Sequence, residues 1–384
     1  MKKKIAILGS TGSIGKSSLD IVLKKKKFFS IEILAANKNF RKICEQIKKF
    51  KPKYFVITNF KIYKKVNNKY KNHNVEILND YNRIIKLKKK IDITISAIPG
   101  IAGLEPTFKF IKLSKKMLLA NKESIICAWH LLEKQRKKFK TSIIPIDSEH
   151  FSVMKLLEKN KNKIESIFIT ASGGPFLRTK KKFKNIKPRD ALRHPNWRMG
   201  KKITINSATM MNKLFELIEA KKIFENLKHK IKIIIHPQSK IHAIIRYQNG
   251  LSNFLFHEPD MRIPIANAIF DTNINISEFI EFKRNKNHFE KLEFLNIANS
   301  NFPPIKFLPI LDKYNSLPII LNAANEILVD QFLMKKIKFN GIIGKLYQIL
   351  RDKKFKKYAI KNTNSIQDIL KIDNWARVQT LKLL

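Results

Sequence analysis

Over residues 1–147 the chain alternates between short apolar runs and stretches with helical spacing. The runs fall at 4–8, 31–35, 54–58, 91–98, 117–120 and 143–146. They are wholly apolar or rich in β-formers and show no in–out alternation. A strand takes that composition when helices cover both faces of its sheet. Helical stretches such as 14–24 and 39–50 separate them. This alternation predicts an α/β domain with a Rossmann-like, doubly wound parallel sheet.

From about residue 148 the rhythm changes. Runs at 164–170, 201–205, 231–236, 241–247 and 251–256 predict strands of a second sheet. Asn249-Gly250 between the last two predicts a hairpin with a type I′ turn. Residues 271–304 are polar, Asn-rich and end in Pro303-Pro304, the composition of a connecting segment. Beyond 305, helical spacing appears at 319–332, 342–351, 365–372 and 374–383. The expected organisation is a dinucleotide-binding domain over 1–147, a central α+β catalytic domain over 148–270, a linker over 271–304 and a C-terminal helical bundle over 305–384. No internal repeat is visible.

Gly9-Ser10-Thr11-Gly12-Ser13-Ile14-Gly15 follows the first strand and opens the first helix. Glycines there let backbone N–H groups approach a pyrophosphate, and a helix N-terminus favours its charge. A P-loop reading of Gly15-Lys16-Ser17 fails because Ser10 stands where its first glycine belongs. The second strand ends in Ala36-Asn37-Lys38-Asn39 with no acid to bond a ribose 2′-hydroxyl. Lys38, and Arg41 beyond it, suit a 2′-phosphate, which favours NADPH over NADH.

The richest chemistry lies in two other strings. Asp147-Ser148-Glu149 follows the 143–146 run, and in extended backbone both carboxylates point to one side. Asn206-Ser207-Ala208-Thr209-Met210-Met211-Asn212-Lys213-Leu214-Phe215-Glu216 reads as a helix start, with Asn212 and Glu216 on one face. Asp147, Glu149 and Glu216 suit a hard divalent cation such as Mg2+ or Mn2+. Ser207, Asn212 and Lys213 offer donors to an anion. Lys122, between Asn121 and Glu123, can reach a substrate oxygen. Ser172-Gly173-Gly174-Pro175 ends a strand with further donors, and the basic stretch 176–201, with His194, Trp197 and Met199, reads as a flap. His236-Pro237-Gln238-Ser239 and Glu258-Pro259-Asp260-Met261-Arg262 are read as structural.

Composition adds one puzzle. The net charge is +48, from 78 Lys and Arg against 30 Asp and Glu. Lys dominates Arg, the Lys runs are scattered, and no RNA-binding or zinc-finger signature accompanies them. The charge therefore reads as a compositional drift toward Lys, Asn, Ile and Phe that attracts small anions, rather than as a nucleic-acid surface. Cys44 and Cys127 lie far apart and suggest no disulfide framework, as expected of a cytoplasmic protein. The first apolar run stops at Gly9, too early for a signal peptide, and no run is long enough to span a membrane.

These strings, together with Phe176, 258–265 and Asn322-Ala323-Ala324-Asn325-Glu326, occur in the order of one family. The chain resembles the 1-deoxy-D-xylulose 5-phosphate reductoisomerases over nearly its whole length. The resemblance implies NADPH-dependent rearrangement and reduction of a phosphorylated sugar in isoprenoid precursor biosynthesis, by a homodimer. It implies Asp147, Glu149 and Glu216 as metal ligands. Lys122 and Ser148 fall at the substrate's carbonyl end, and Ser172, His194, Ser207, Asn212 and Lys213 mostly around its phosphate. Thr11, Gly12, Ser13, Ile14, Asn37, Lys38, Asn39, Asn121, Glu123 and Gly200 fall at NADPH positions. The chain departs from the family at Asn37, at His257, where glycine is usual, and in a slightly shortened, lysine-loaded flap. A different NADPH-dependent dehydrogenase of a small phosphorylated or carboxylated metabolite is the alternative, against which the acidic triad argues.

Overall fold

The computed structural model describes residues 2–158, 160–179, 183–197, 199–271, 274–281, 291–297, 302–311, 313–360 and 362–384. The chain divides into two compact units. One comprises Met1–Ser124, His130–Phe151 and Asp260–Lys286; the other comprises Ile125–Trp129, Ser152–Pro259 and Asn287–Leu384.

In chain order the first unit begins β1 (Lys3–Leu8), α1 (Ser13–Lys24), β2 (Phe29–Ala36), α2 (Phe40–Phe50), β3 (Tyr54–Ile57), α3 (Phe60–Lys69) and β4 (Glu76–Leu78). It continues through β5 (Ile91–Ser96), α4 (Leu104–Ile111), β6 (Ser114–Leu119), α5 (Lys122–Phe139), β7 (Ser142–Pro145) and the start of α6 (Ser148–Leu157). The seven strands are parallel in the order β4-β3-β2-β1-β5-β6-β7. The predicted doubly wound sheet is therefore present. Its strand order reverses beside β1, and ligands bind such sheets in the crevice at the carboxyl ends there. Ile5, Ile7, Leu34, Val56, Ile93 and Leu118 are fully buried, as strands covered on both faces require. The polar residues among them are paired: Ser114 Oγ donates to Thr94 Oγ1 at 2.7 Å, and Ser96 Oγ lies 2.6 Å from Thr107 Oγ1.

The second unit carries β8 (Ile164–Ala171), α7 (Pro188–Ala191), α8 (Lys201–Ala208), α9 (Met211–Ile223), β9 (Ile231–Ile235), β10 (Ile241–Tyr247) and β11 (Ser252–Phe256). After α10 (Arg262–Phe270), which belongs to the first unit, come α11 (Leu308–Leu311), α12 (Leu317–Leu333), α13 (Phe339–Leu350), α14 (Phe355–Ala359) and α15 (Ile366–Lys382). The second sheet runs β11-β10-β8-β9, with β8 and β9 parallel and the other pairs antiparallel. Leu217 and Ala220 of α9 pack on Ile167, Ile169, Ala243 and Ile245 of that sheet.

Three local expectations are corrected. Residues 201–205 are not a strand; they open α8. The β-branched run Ile203-Thr204-Ile205 favours a strand locally, but Ile205 and Asn206 are buried, so packing overrides propensity. Thr204 Oγ1 also bonds back to the Gly200 carbonyl at 3.0 Å. The 248–250 turn is not type I′, because only Gly250 has positive φ, at 84°. It is a three-residue loop, with Gly250 N donating to Tyr247 O at 3.1 Å. The stretches 365–372 and 374–383 form one helix, because no Gly or Pro separates them and the Asp373–Arg377 pair spans the join at 2.6 Å. Parts of the expected linker, at 272–273, 282–290 and 298–301, lie outside the described residues.

Gly9 turns the chain off β1 at φ 86°, and a Cβ there would lie 2.5 Å from the Ala97 carbonyl oxygen. Gly9→Ala should therefore lower the unfolding free energy by about 2 kcal/mol, read from urea denaturation; an unchanged midpoint would contradict this packing.

Candidate active site

At the carboxyl end of β1, the loop is held from beneath. Ser10 is buried; its Oγ donates to Gln46 Oε1 at 2.7 Å, and Gln46 Nε2 returns a bond to the Ser10 carbonyl at 2.9 Å. Gly15 packs so tightly that a Cβ would lie 2.4 Å from the Gly9 carbonyl oxygen. Gly12 is the α1 N-cap, with no side chain bonded to the first turn and no acid in it. The first N–H groups of α1 are thus unmasked by any side chain, beside the partly or fully exposed Thr11, Gly12, Ser13 and Ile14. That geometry fits a dinucleotide pyrophosphate.

Asn37, Lys38 and Asn39 are exposed at the tip of β2. Asn37 Nδ2 donates to Thr58 Oγ1 at 2.7 Å, and Asn39 caps α2 by accepting from Lys42 N at 3.1 Å. Asn121, after β6, caps α5: its Oδ1 accepts from Ser124 N at 3.0 Å, while Nδ2 reaches Ile98 O at 2.8 Å and Glu123 Oε2 at 2.9 Å. This side chain ties the loop after β6 to the loop after β5. Gly200 is the α8 N-cap at φ −64°, where a Cβ would meet nothing. Nothing in its backbone requires glycine.

The acidic string is not extended. β7 ends at Pro145, and Phe151 N donates to the Asp147 carbonyl at 2.9 Å, so Asp147 caps α6 and Glu149 sits in its first turn. A helix N-terminus stabilises both carboxylates through the same orphan N–H groups. Lys122 Nζ stands 3.0 Å from Asp147 Oδ2, and Ser148 Oγ donates to Glu149 Oε2 at 2.5 Å. His150, which the sequence reading passed over, is fully buried, with Nδ1 3.5 Å from Asp147 Oδ1. Reading 147–150 as a helix start would have found it, because positions three apart share a face.

In the second unit, β8 delivers Ser172. Gly173 and Gly174 follow at φ 80° and 69°, and a Cβ on Gly174 would lie 2.8 Å from the Ser207 carbonyl oxygen. Only glycine lets the turn lie against α8 this closely. Met210 at φ 63° then breaks α8 from α9. On α9, Asn212 and Lys213 both bond the Glu216 carboxylate, which is only 3% exposed. A buried carboxylate needs such partners, because desolvation penalises its charge.

His194 completes this group. Its Nδ1 accepts from Asn196 N at 3.2 Å and from Trp197 N at 3.0 Å. The proton of a neutral ring therefore sits on Nε2, which lies 3.1 Å from Ser172 Oγ. Asn196 Nδ2 donates to Pro237 O at 2.6 Å and Ser239 Oγ at 3.0 Å, and Trp197 meets the His242 ring edge-on at 5.9 Å. The 236–239 string thus anchors the turn at 194–197. Residues 180–182 and Arg198 of the expected flap lie outside the described residues. Burial pushes the His194 pKa down from 6.5 to about 4. The unfolded chain binds that proton more readily, so the contribution to stability is complete above about pH 6.5 and is lost as pH falls through about 4. His194→Asn should flatten the pH dependence of the urea midpoint over that window; an unaltered slope would contradict a half-buried neutral ring.

Three family models match the chain. Residues 5–129 match 1-deoxy-D-xylulose 5-phosphate reductoisomerase, 143–224 its C-terminal domain, and 256–379 the DXP reductoisomerase C-terminal domain. The 1-deoxy-D-xylulose 5-phosphate reductoisomerase of Pelagibacter ubique (strain HTCC1062) is 46% identical over 98% of both chains. That of Thermodesulfovibrio yellowstonii is 41% identical over 99% of both. A crystal structure of DOX-P reductoisomerase in complex with NADPH, fosmidomycin and magnesium superposes with a TM-score of 0.91 at 32% identity, covering 99% of this chain and 98% of that one. The Zymomonas mobilis enzyme in complex with NADPH gives 0.88 at 31% identity, covering 100% of this chain and 99% of that one. With identity of this level running from end to end through both units, the chain belongs to the 1-deoxy-D-xylulose 5-phosphate reductoisomerase family.

Proposed function

We propose that the residues gathered at these strand and helix ends carry out the family's reaction. The protein is an NADP-dependent oxidoreductase that converts 1-deoxy-D-xylulose 5-phosphate into 2-C-methyl-D-erythritol 4-phosphate in isoprenoid precursor biosynthesis. It uses NADPH and a divalent cation. The observation that carries this reading is the end-to-end family match, joined to Asp147 beside Lys122 and Glu216 beside Lys213.

Asp147, Glu149 and Glu216 are the proposed ligands of Mg2+ or Mn2+. Their hard oxygen donors suit such an ion. When bound, the cation polarises the substrate carbonyl and the neighbouring hydroxyl, and NADPH supplies hydride to the rearranged carbon skeleton. Lys122 and Ser148 contact the carbonyl end in this reading, with Lys122 and Glu149 placed to hold protons on substrate oxygens. Ser172, Ser207, Asn212 and Lys213 bind the phosphate. His194 adds its Nε2–H as a neutral donor, so its contribution does not require acid. Thr11, Gly12, Ser13 and Ile14 bind the pyrophosphate. Asn37, Lys38 and Asn39 face the adenosine end, and Asn121, Glu123 and Gly200 the nicotinamide side. Phosphate binding, remote from the reacting carbons, draws the flap over the site and excludes water.

A homodimer is proposed on the edge of the second sheet, where Leu251 is 62% and Phe254 50% exposed beside and on β11. A cytoplasmic location fits the two buried cysteines, which are not joined to each other. No helix among the described residues is long and apolar enough to cross a membrane.

Absorbance at the nicotinamide band should fall when substrate is added with Mn2+ and stay constant in chelator. Glu216→Gln should cut turnover by about a thousandfold or more, the scale of losing a group that stabilises transition-state charge; retained turnover would remove Glu216 from the ligand set. Lys38→Ala should raise the KM for NADPH about tenfold while leaving that for NADH, as loss of one charge-assisted hydrogen bond predicts. Equal effects on both cofactors would place Lys38 away from the 2′-phosphate.

A further inference from the structure

α12 is a buried helix that carries polar groups where apolar ones would pack. Leu317 through Asn325 are all buried, and within that run Asn325 is 0% exposed. An amide in such a place costs free energy unless it is bonded. Asn325 Nδ2 donates to Asn206 Oδ1 on α8 at 2.9 Å, and Asn206 is itself buried. The next residue, Glu326, accepts from Lys202 Nζ of α8 and from Arg377 of α15. Arg377 is fixed in turn by Asp373, with Nε 2.6 Å from Oδ2. Burial alone would raise the Glu326 pKa, but Lys202 and Arg377 together hold it below the ordinary carboxylate value.

Lys202 and Asn206 are four apart, so they lie on one face of α8 a turn from each other. Gripped at both points, the helix can neither rotate nor slide without breaking an ion pair or stranding a buried amide. Ser207 follows Asn206 directly, and the backbone of Ser207 is the surface on which Gly174 closes. Ser172, two residues before Gly174, bonds His194. The position of α8 therefore sets the spacing between the donors on α8 and those on the β8 turn.

We propose that Asn325 and Glu326 are positioning residues for the phosphate half of the site, acting on Ser207 through α8. This rests on the functional reading above and assigns the buried polar string of α12 a part in substrate affinity. Neither residue contacts the reacting atoms in this account, so the effect should follow the phosphate and not the chemistry.

The test uses the full chain with Mn2+ and NADPH, and compares 1-deoxy-D-xylulose 5-phosphate with the unphosphorylated sugar. Glu326→Gln keeps the shape and removes the charge. It should raise the KM for the phosphorylated substrate about tenfold, as weakening of the charge-assisted bonds to Lys202 and Arg377 implies, while kcat/KM for the unphosphorylated sugar and the KM for NADPH stay within about twofold. Lys202→Met should reproduce this, and the double variant should lose no more than either single one. Parallel losses on both sugars, or wild-type behaviour, would overturn the inference. Should Glu326→Gln not fold, Lys202→Met decides alone, since the Lys202 side chain is 29% exposed. If wild type itself shows no metal-dependent NADPH oxidation, the functional reading fails and the inference with it. If wild type turns over and the variants match it, only the inference fails.

Discussion

A carboxylate taken out of water has to be neutralised where it sits, and Glu216 sets that requirement for the second unit. Desolvating one such ion costs several kcal/mol. Lys213 and Asn212 meet the demand from the same helix, within one turn. Leu214, Phe215, Leu217 and Ile218 are buried around them, so α9 cannot turn Glu216 toward solvent without unpacking its own core. The acid, the ammonium and the amide are consequently locked into a single arrangement before any ligand arrives. Preorganisation of this kind is what lets a site stabilise charge without rearranging during the reaction.

The rest of the unit is arranged to respect that arrangement. Two glycines bring the β8 turn against α8, Met210 in a left-handed conformation sets the break into α9, and His194 is oriented by the backbone that follows it. α12 supplies the buttress from the far end of the chain. In the first unit the same logic appears in simpler form. A buried Ser10–Gln46 pair fixes the loop after β1, and the Asn121 cap fixes the loop after β6. In each unit polar residues behind the candidate donors are bonded to one another, which leaves those donors in defined places.

Much of this was visible in the chain itself. The doubly wound sheet followed from apolar runs in alternation with helices, because burial on both faces leaves a strong compositional mark. The residue types at 147–149 and 206–216 pointed to carboxylate and anion chemistry without any geometry. The geometry itself was harder to read. From the apolar run before them Asp147 and Glu149 read as strand neighbours, whereas the strand ends at Pro145 and a helix begins, and only that helix places His150 beside Asp147. Ile203-Thr204-Ile205 reads locally as a strand, and the packing that overrides this, including the bond of Asn206 to Asn325 on α12, comes from more than a hundred residues away. The 236–239 string reads as structural, and its contact with Asn196 depends on a fold-level encounter that spacing does not reveal.

The imidazole of His194 has one further property. Its acceptor nitrogen is tied to the backbone of the segment that buries it, so proton affinity and loop position belong to one thermodynamic cycle. A proton binds better to the ring once the loop has lifted away, and the loop lifts more readily once the ring is charged. Acid thus loosens the 194–197 turn from within, at a nitrogen that faces its own backbone.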